Sequence, residues 1–406
     1  MPKALCALDT GEIVEHPSLP AAARTGDRTV IPARSEWIGS PFAADYYTLP
    51  HHTLPGCAPD EKDLFRPVAA CLPPGYVRLY LPAGERRRED KRPLPQIAYC
   101  AAGWRNGSFA VTAERVDYSP YWDPKKRDAG TIGLAAERFL KGRPKNRLVR
   151  HLTHCSLRYN CYTAQNLLLR QGEGGIPVST ACNASCIGCI SFQPAGGCPS
   201  AHDRIAFTPT VEEIAELAVP HLQKAPQAII SFGQGCEGEP TLREKLLIEA
   251  IRAIRKETSR GTIHINTNGS RPDAIERLAH AGLQGIRVSI NSARKPLYDR
   301  YYRPDGYSFN DVLETLRRAK GLGLFVSVNL LVFPGVTDRK SETVALLKLF
   351  RETRPDLIQL RNLNIDPDLY MRIAGASKET TIGVKEFIRG LREEGFEVGC
   401  FNRPAG

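Results

Sequence analysis

From residue 175 onward, short β-branched runs alternate with amphipathic helical stretches, and this rhythm limits the fold more than any other feature of the chain. The strand-like runs are "IPVST", "QAIISFG", "TIHINTN", "GIRVSI", "FVSVNLLVF" and "LIQLRNLN". Between them, stretches such as "TVEEIAELAVPHLQK", "TLREKLLIEAIRAIRKE" and "PDAIERLAHAG" repeat apolar residues at helical spacing. Six β-strand/α-helix units in strict alternation imply a parallel sheet with right-handed crossovers. The apolar, β-branched strands read as buried on both faces. The period leaves an open doubly wound sheet and a partly closed barrel both open. In either, reactive groups belong at the C-terminal ends of the strands, in the loops leading to the helices.

The upstream part has a different texture. Residues 1–145 are irregular, proline-rich and β-rich, and two alternating runs flank Asn106-Gly107, a strong hairpin signal. Residues 146–171 read as one long helix or two joined ones, and "GEGG" (172–175) breaks the pattern. The expected division is an accessory or substrate-recognition region at 1–145 and a connecting helix at 146–174. A core follows at 175–370, completed by a C-terminal helix and strand at 371–406. No apolar run is long enough for a membrane span. Asp9, Glu12 and Glu15 interrupt any secretory h-region. Twelve cysteines without export should stay reduced, so a cytoplasmic location is expected. The net charge is +11, and residues 101–150 hold 11 Lys+Arg against 5 Asp+Glu. That balance fits an anionic macromolecule as partner, although a solvated basic surface explains it as well.

The loop after the first expected strand, "PVSTACNASCIGCISFQP", holds Cys182, Cys186 and Cys189 in a C-x3-C-x2-C arrangement. Structural zinc takes four protein ligands, so Cys198, Cys236 or a histidine would have to complete it. A [4Fe–4S] cluster on three cysteines would instead leave one iron open to an amine and a carboxylate. Three plain thiols are the remaining reading. Further polar loops follow the later strands: "GCEGEPT", "TNGS", "NSARKP", "PGVTD" and "NIDPDLY".

The cysteine loop in this setting resembles the radical S-adenosylmethionine (SAM) superfamily over residues 175–365. The resemblance implies a partial (β/α)6 TIM-like barrel with an N-terminal β-rich accessory domain. It implies an oxygen-sensitive [4Fe–4S] cluster on Cys182, Cys186 and Cys189 whose open iron binds SAM. A flavodoxin- or ferredoxin-type donor would supply the electron that cleaves SAM to a 5′-deoxyadenosyl radical, which takes a hydrogen atom from a substrate. Within "EGEP", Glu239 would accept the SAM ammonium beside the backbone of Glu237 and Gly238. Asn268, Ser289 and Asn291 would line the cofactor site, and Val332 in "VFPGV" would pack against adenine. Arg361 and Asn364 would point into the barrel mouth. The family's aromatic before the third cysteine is here Gly188, and Ile190 or Phe192 are its expected substitutes, with Phe192 alternatively core.

The other cysteines invite an auxiliary cluster at Cys155, Cys161, Cys198 and Cys236, which a continuous helix would oppose without a break near Asn160. His151, His154 and Cys155 share a helix face that suits a metal, although a polar face packed on the barrel is preferred. Cys236 and Arg361 are the catalytic candidates. The competing class is a zinc-stabilised nucleic-acid-binding protein without catalysis. No RNA-binding signature and no cobalamin motif is present.

Overall fold

The computed structural model describes residues 1–87, 92–193, 198 and 200–405. Its core is a parallel sheet of β1 (Glu173–Gly175), β2 (Ile229–Phe232), β3 (Thr262–Thr267), β4 (Gly285–Ile290), β5 (Phe325–Val332), β6 (Leu357–Asn362) and β7 (Val398–Gly399). The strands follow one another in sequence order with helices between them, and the sheet curls into a half-barrel.

The helices in chain order are α1 (Ala129–Gly142), α2 (Arg147–Arg158), α3 (Tyr162–Leu169) and α4 (Val211–Lys224). Then come α5 (Glu244–Glu257), α6 (Pro272–Ala281), α7 (Lys295–Tyr302), α8 (Phe309–Gly321), α9 (Lys340–Thr353), α10 (Pro367–Ala374) and α11 (Val384–Glu393). The 146–171 segment is two helices, because Asn160 takes a left-handed φ of 52° between α2 and α3. Thr210 caps α4 and forms a reciprocal box with Glu213, worth about 1 kcal/mol. Glu213 also receives the Arg147 backbone N–H (2.9 Å) and Nη2 (2.7 Å), which fastens the start of α2 to α4.

The first strand lies earlier than the β-branched run suggested. Glu173, Gly174 and Gly175 pair with Ile229, Ile230 and Ser231, whereas "IPVST" runs on past the ladder. The glycines permit close packing: a Cβ at Gly174 would meet Leu167 Cδ1 at 2.7 Å, and one at Gly175 would meet Gln234 Oε1 at 2.4 Å. They build the strand instead of breaking the chain.

The strands are buried on both faces, yet only one face is apolar. Ile263, Ile265, Ile286, Val288, Val326, Val328, Leu330, Ile358 and Leu360 belong to the main core with the helices. The alternate residues His264, Asn266, Arg287, Ser289, Ser327, Asn329, Gln359 and Arg361 therefore share the opposite, inner face. Cross-strand register sets Asn266 beside Arg287, Arg287 beside Ser327, Ser289 beside Asn329 and Asn329 beside Gln359. A polar lining inside an apolar shell is a place for a polar ligand.

The N-terminal region forms an antiparallel sheet containing residues 3–7, 13–20, 38–39, 45–48, 66–71, 99–105 and 108–111. Its Tyr99–Arg105/Ser108–Val111 hairpin turns through Asn106 (φ 52°) and Gly107 (φ 77°), as the Asn-Gly pair demands. The region rests on the loops that follow β5 and β6. Fully buried Arg78 donates to the carbonyls of Tyr99 (3.0 Å) and Leu363 (2.8 Å). Arg86 bridges Asp366 (2.6 Å) and Asp368 (2.8 Å), and Arg24 joins Asp368 at 2.7 Å. Among the described residues, no helix is long and apolar enough to cross a membrane.

Candidate active site

The cysteine loop leaves the C-terminal end of β1 and is held from two sides. On one, Ser185 N–H donates to the Tyr302 carbonyl (3.1 Å), Ile187 N–H to that of Tyr301 (3.0 Å) and Asp305 N–H to that of Asn183 (2.9 Å). On the other, the Cys189 carbonyl accepts from the side-chain amides of Gln193 (2.6 Å) and Gln96 (3.1 Å). Gln96 comes from the N-terminal region, so that region helps fix the loop. Arg204 Nη2 lies 3.4 Å from Cys189 Sγ. Burial pushes the Cys182 thiol up to about 11, and Cys186 goes well above its ordinary value through burial and then the neighbouring Cys189 and Cys182. Cys182 and Cys186, which resist ionisation as bare thiolates, are suited to a cationic partner.

Glu237 and Glu239 differ in what they have left to offer. Glu237 accepts four backbone N–H groups: Val178 (2.8 Å) and Ser179 (2.9 Å) on one oxygen, Gly233 (2.8 Å) and Gln234 (2.7 Å) on the other. A carboxylate has about four lone-pair positions, so this side chain is saturated. It staples the end of β1 to the end of β2 while burial pushes its carboxyl up to about 7. Glu239 Oε1 takes Thr241 N–H (3.0 Å), Thr241 Oγ1 (2.6 Å) and Thr267 Oγ1 (2.6 Å), whereas Oε2 takes Asn268 N–H alone (2.8 Å). Oε2 keeps an acceptor position for a ligand. Glu239 also caps the short 3-10 turn at Pro240–Arg243. Its neighbour Gly238 cannot carry a side chain, because a Cβ would fall 1.9 Å from the Ala181 carbonyl oxygen.

Around these lie the other expected residues. Asn268 Nδ2 donates to Asn183 Oδ1 (2.9 Å), joining the β3 end to the cysteine loop. Ser289 Oγ accepts from Asn329 Nδ2 (2.9 Å). Asn291 donates to the Tyr370 hydroxyl (3.1 Å), and its buried Oδ1 has no partner, like Asn329 Oδ1 and Ser270 Oγ. Val332 lies on the helix-facing side of β5 with Val328 and Leu330, so Leu331 takes the inward position. The following turn is covered: Gly335 packs against Gly26, whose N–H donates to the Pro334 carbonyl (3.0 Å). Arg361 sits over the rings of Trp122 (5.7 Å) and Phe401 (5.9 Å), which also line an open cavity of about 830 Å³. Asn364 is exposed.

Phe192 is not core: it is 59% exposed, with the Arg204 guanidinium 5.0 Å from its ring centre. Ile190 packs on Gly235. The space beside Gly188 is instead filled by Tyr301, whose Oη would lie 2.6 Å from a Cβ there. The inner-face residues Asn266, Arg287, Ser327, Asn329 and Gln359 escaped the sequence reading, although their alternation inside the apolar strands was visible. Cys236 turns to α2, where its sulfur lies within 4.8 Å of Cys155 Sγ, and Cys161 interacts electrostatically with both. Cys198 stands apart, donating to the Leu94 carbonyl at 3.3 Å. His154 is exposed beside Asp203 (3.7 Å).

Residues 176–347 match the family model of the Radical SAM superfamily. Among curated proteins, the chain is 24% identical over 177 residues to the FeMo cofactor biosynthesis protein NifB of Klebsiella pneumoniae, covering 40% of this chain and 37% of that one. It is 34% identical over 115 residues to the GTP 3',8-cyclase of Aquifex aeolicus (strain VF5), covering 28% and 35%. The chain thus spans little more than a third of the length of these relatives. The solved coproporphyrinogen III oxidase (HemN) of Escherichia coli superposes with a TM-score of 0.40 at 14% identity, over 55% of this chain and 53% of that one. The superfamily uses a [4Fe–4S] cluster and SAM. Residues 176–347 of the chain thus form a Radical SAM domain.

Proposed function

We propose that Cys182, Cys186 and Cys189 hold the [4Fe–4S] cluster and that Glu239 receives the ammonium of SAM. The observation that carries this is one loop with three cysteines at the C-terminal end of β1, opposite the carboxylate oxygen with a vacant acceptor position. The surroundings fit a polar ligand, since buried oxygens of Ser270, Asn291 and Asn329 lack partners. The sulfur spacing fits a cluster better than a single ion. Among the described residues, the triads whose ligand atoms lie within 4.8 Å of one another do not include these three. A bound cluster and SAM would supply one-electron cleavage of the sulfonium, giving a 5′-deoxyadenosyl radical that abstracts a substrate hydrogen atom.

In this reading the chain's own groups position and screen. Arg204 Nη2 stands 3.4 Å from the Cys189 sulfur and holds it from the side of the chain that leaves the loop. Glu239, fixed by four hydrogen bonds, offers Oε2 without rearrangement. Asn268, Ser289 and Asn291 orient polar groups of the cofactor from the ends of β3 and β4. The N-terminal region covers the loops after β5 and β6 and restricts water on that side. The electron donor is of flavodoxin or ferredoxin type. Exposed Lys125, Lys126, Arg138, Lys141, Lys145 and Arg150 support an anionic macromolecule as substrate.

The test is anaerobic reconstitution with iron and sulfide, reduction, and addition of SAM. The expected result is a brown protein that releases 5′-deoxyadenosine, lost in Cys182→Ala, Cys186→Ala and Cys189→Ala. A colourless protein that binds zinc through this loop, or deoxyadenosine release that survives all three changes, refutes the reading.

A further inference from the structure

A second group of soft ligands lies outside the site described above. His151 and Cys155 stand one turn apart on α2, so their side chains share a face. Their separation, Nε2 to Sγ, is 3.5 Å. Cys236 reaches the same point from the loop after β2, and all three ligand atoms lie within 4.8 Å of one another. Both sulfurs are removed from water, Cys155 at 1% and Cys236 at 5% exposure.

We propose that His151, Cys155 and Cys236 bind a single borderline-soft divalent ion of the zinc class, with a water molecule in the fourth position. The distances match that use. Zinc bonds of about 2.3 Å to sulfur and 2.0–2.1 Å to nitrogen in a tetrahedron put sulfur and nitrogen about 3.5 Å apart, and two sulfurs about 3.8 Å apart. The first value is the spacing of His151 and Cys155. His202 lies outside the set: its ring packs on Tyr159 at 4.8 Å and its backbone N–H donates to the Ile190 carbonyl at 2.8 Å. Cys161 remains outside the set, with its Sγ 3.3 Å from Thr163 Oγ1.

Such an ion joins α2 to the loop that carries Glu237 and Glu239, a loop that Ile205 N–H already holds from the other side through the Cys236 carbonyl (2.8 Å). Binding exchanges the two thiol protons for the metal and releases them to solvent, with no change of oxidation state.

The test uses the reduced full-length chain carrying Cys182→Ala, Cys186→Ala and Cys189→Ala, so that the cysteine loop takes no metal and the outcome is independent of the cluster reading. Titration with Co²⁺ is expected to give one ion per chain, with the intense d–d bands of tetrahedral cobalt and sulfur-to-cobalt charge transfer, displaced by zinc. Adding Cys155→Ser or Cys236→Ser should weaken binding by at least ~10-fold. His151→Cys should keep the tetrahedral bands and strengthen the charge transfer, which separates ligation from a folding defect. A weak octahedral spectrum overturns the proposal. So does cobalt binding unchanged by Cys155→Ser, or a thiol count showing Cys155 and Cys236 joined as a disulfide.

Discussion

Gly188 precedes Cys189 where relatives of this kind are expected to carry an aromatic side chain, and the structure makes the consequence of refilling that position calculable. Its φ is not left-handed, so alanine strains no backbone there. The obstacle is steric: a Cβ would meet Tyr301 Oη at 2.6 Å, then Asn364 O and Tyr301 Cε2 at 3.4 Å. An exposed phenol would swing aside. Tyr301 is buried, edge-on to Tyr302 (4.9 Å) and Tyr370 (6.0 Å), and its backbone carbonyl holds the Ile187 N–H. Gly188→Ala should therefore overpack the site at a cost of about 2 kcal/mol. Tyr301→Phe deletes the oxygen at 2.6 Å, and contacts at 3.4 Å need only a shift of tenths of an ångström. The double variant should lose less than the sum of the singles, with a coupling of about 1–2 kcal/mol. Anaerobic urea unfolding of the four metal-free proteins measures that cycle, and iron content after reconstitution reports whether the loop still assembles a cluster. Strict additivity, or Gly188→Ala as stable as the parent, would refute the idea that Tyr301 fills this space.

Three more outcomes follow from single groups. Glu239→Gln turns an amide NH2 toward the Asn268 N–H or the threonine donors, costing about 1–3 kcal/mol of stability, and removes a charge-assisted bond, so SAM affinity by anaerobic equilibrium dialysis should fall about 10–100-fold; unchanged affinity counts against the assignment. His264 is buried with both ring nitrogens unpartnered, and burial holds its pKa down to about 3. Its contribution is complete above the unfolded value near ~6.5 and is lost as pH falls toward 3; relative to His264→Leu, the parent should lose about 2 kcal/mol between pH 7 and 5 in urea titrations, and parallel curves would exclude this. Glu213, lowered to about 2 chiefly by its hydrogen bonds with Arg147, contributes stability above ~4.5 that disappears as pH falls through its folded value. Because Arg147 is exposed to solvent, Glu213→Gln should cost only about 1 kcal/mol at neutral pH, with the difference vanishing below pH 2.

The parallel β/α sheet and the cysteine loop at its rim were legible because both depend on local pattern, strand and helix periods and three cysteines in one loop, whereas curling into a half-barrel was implied only by the family resemblance. The polar inner face was written in the same strands, as His264, Asn266 and Asn268 or Arg287, Ser289 and Asn291 at alternate positions. It was obscured because the intervening Ile and Val dominate the hydropathy of each run. The first strand was displaced for a different reason. Gly174 and Gly175 look like breakers in sequence, and only the proximity of Leu167 and Gln234 shows that the absent side chains allow the strand to pass. Similarly, nothing local separates Glu237 from Glu239. Their roles diverge through the donors that surround them, four filling one carboxylate's capacity and an uneven four on the other.

What no local pattern could convey is how the N-terminal region and the barrel depend on each other. Gln96 donates to the carbonyl of Cys189, and Leu94 accepts from Cys198 while donating its N–H to Asp366 (2.9 Å). Asp366 and Asp368 in turn gather Arg24, His52 and Arg86 beyond the end of β6. The Asp368 carboxyl is held well below the ordinary range by His52, Arg24 and Arg86, against the opposing pull of burial. Carboxylates this far from water are destabilising unless every partner is present, since removing one side of such a pair leaves a buried charge. The region therefore cannot be a loosely tethered lid. Detaching it would strand Asp366 and Asp368 at the rim and free the backbone of the third cysteine, so the accessory sheet and the cysteine loop should be lost together.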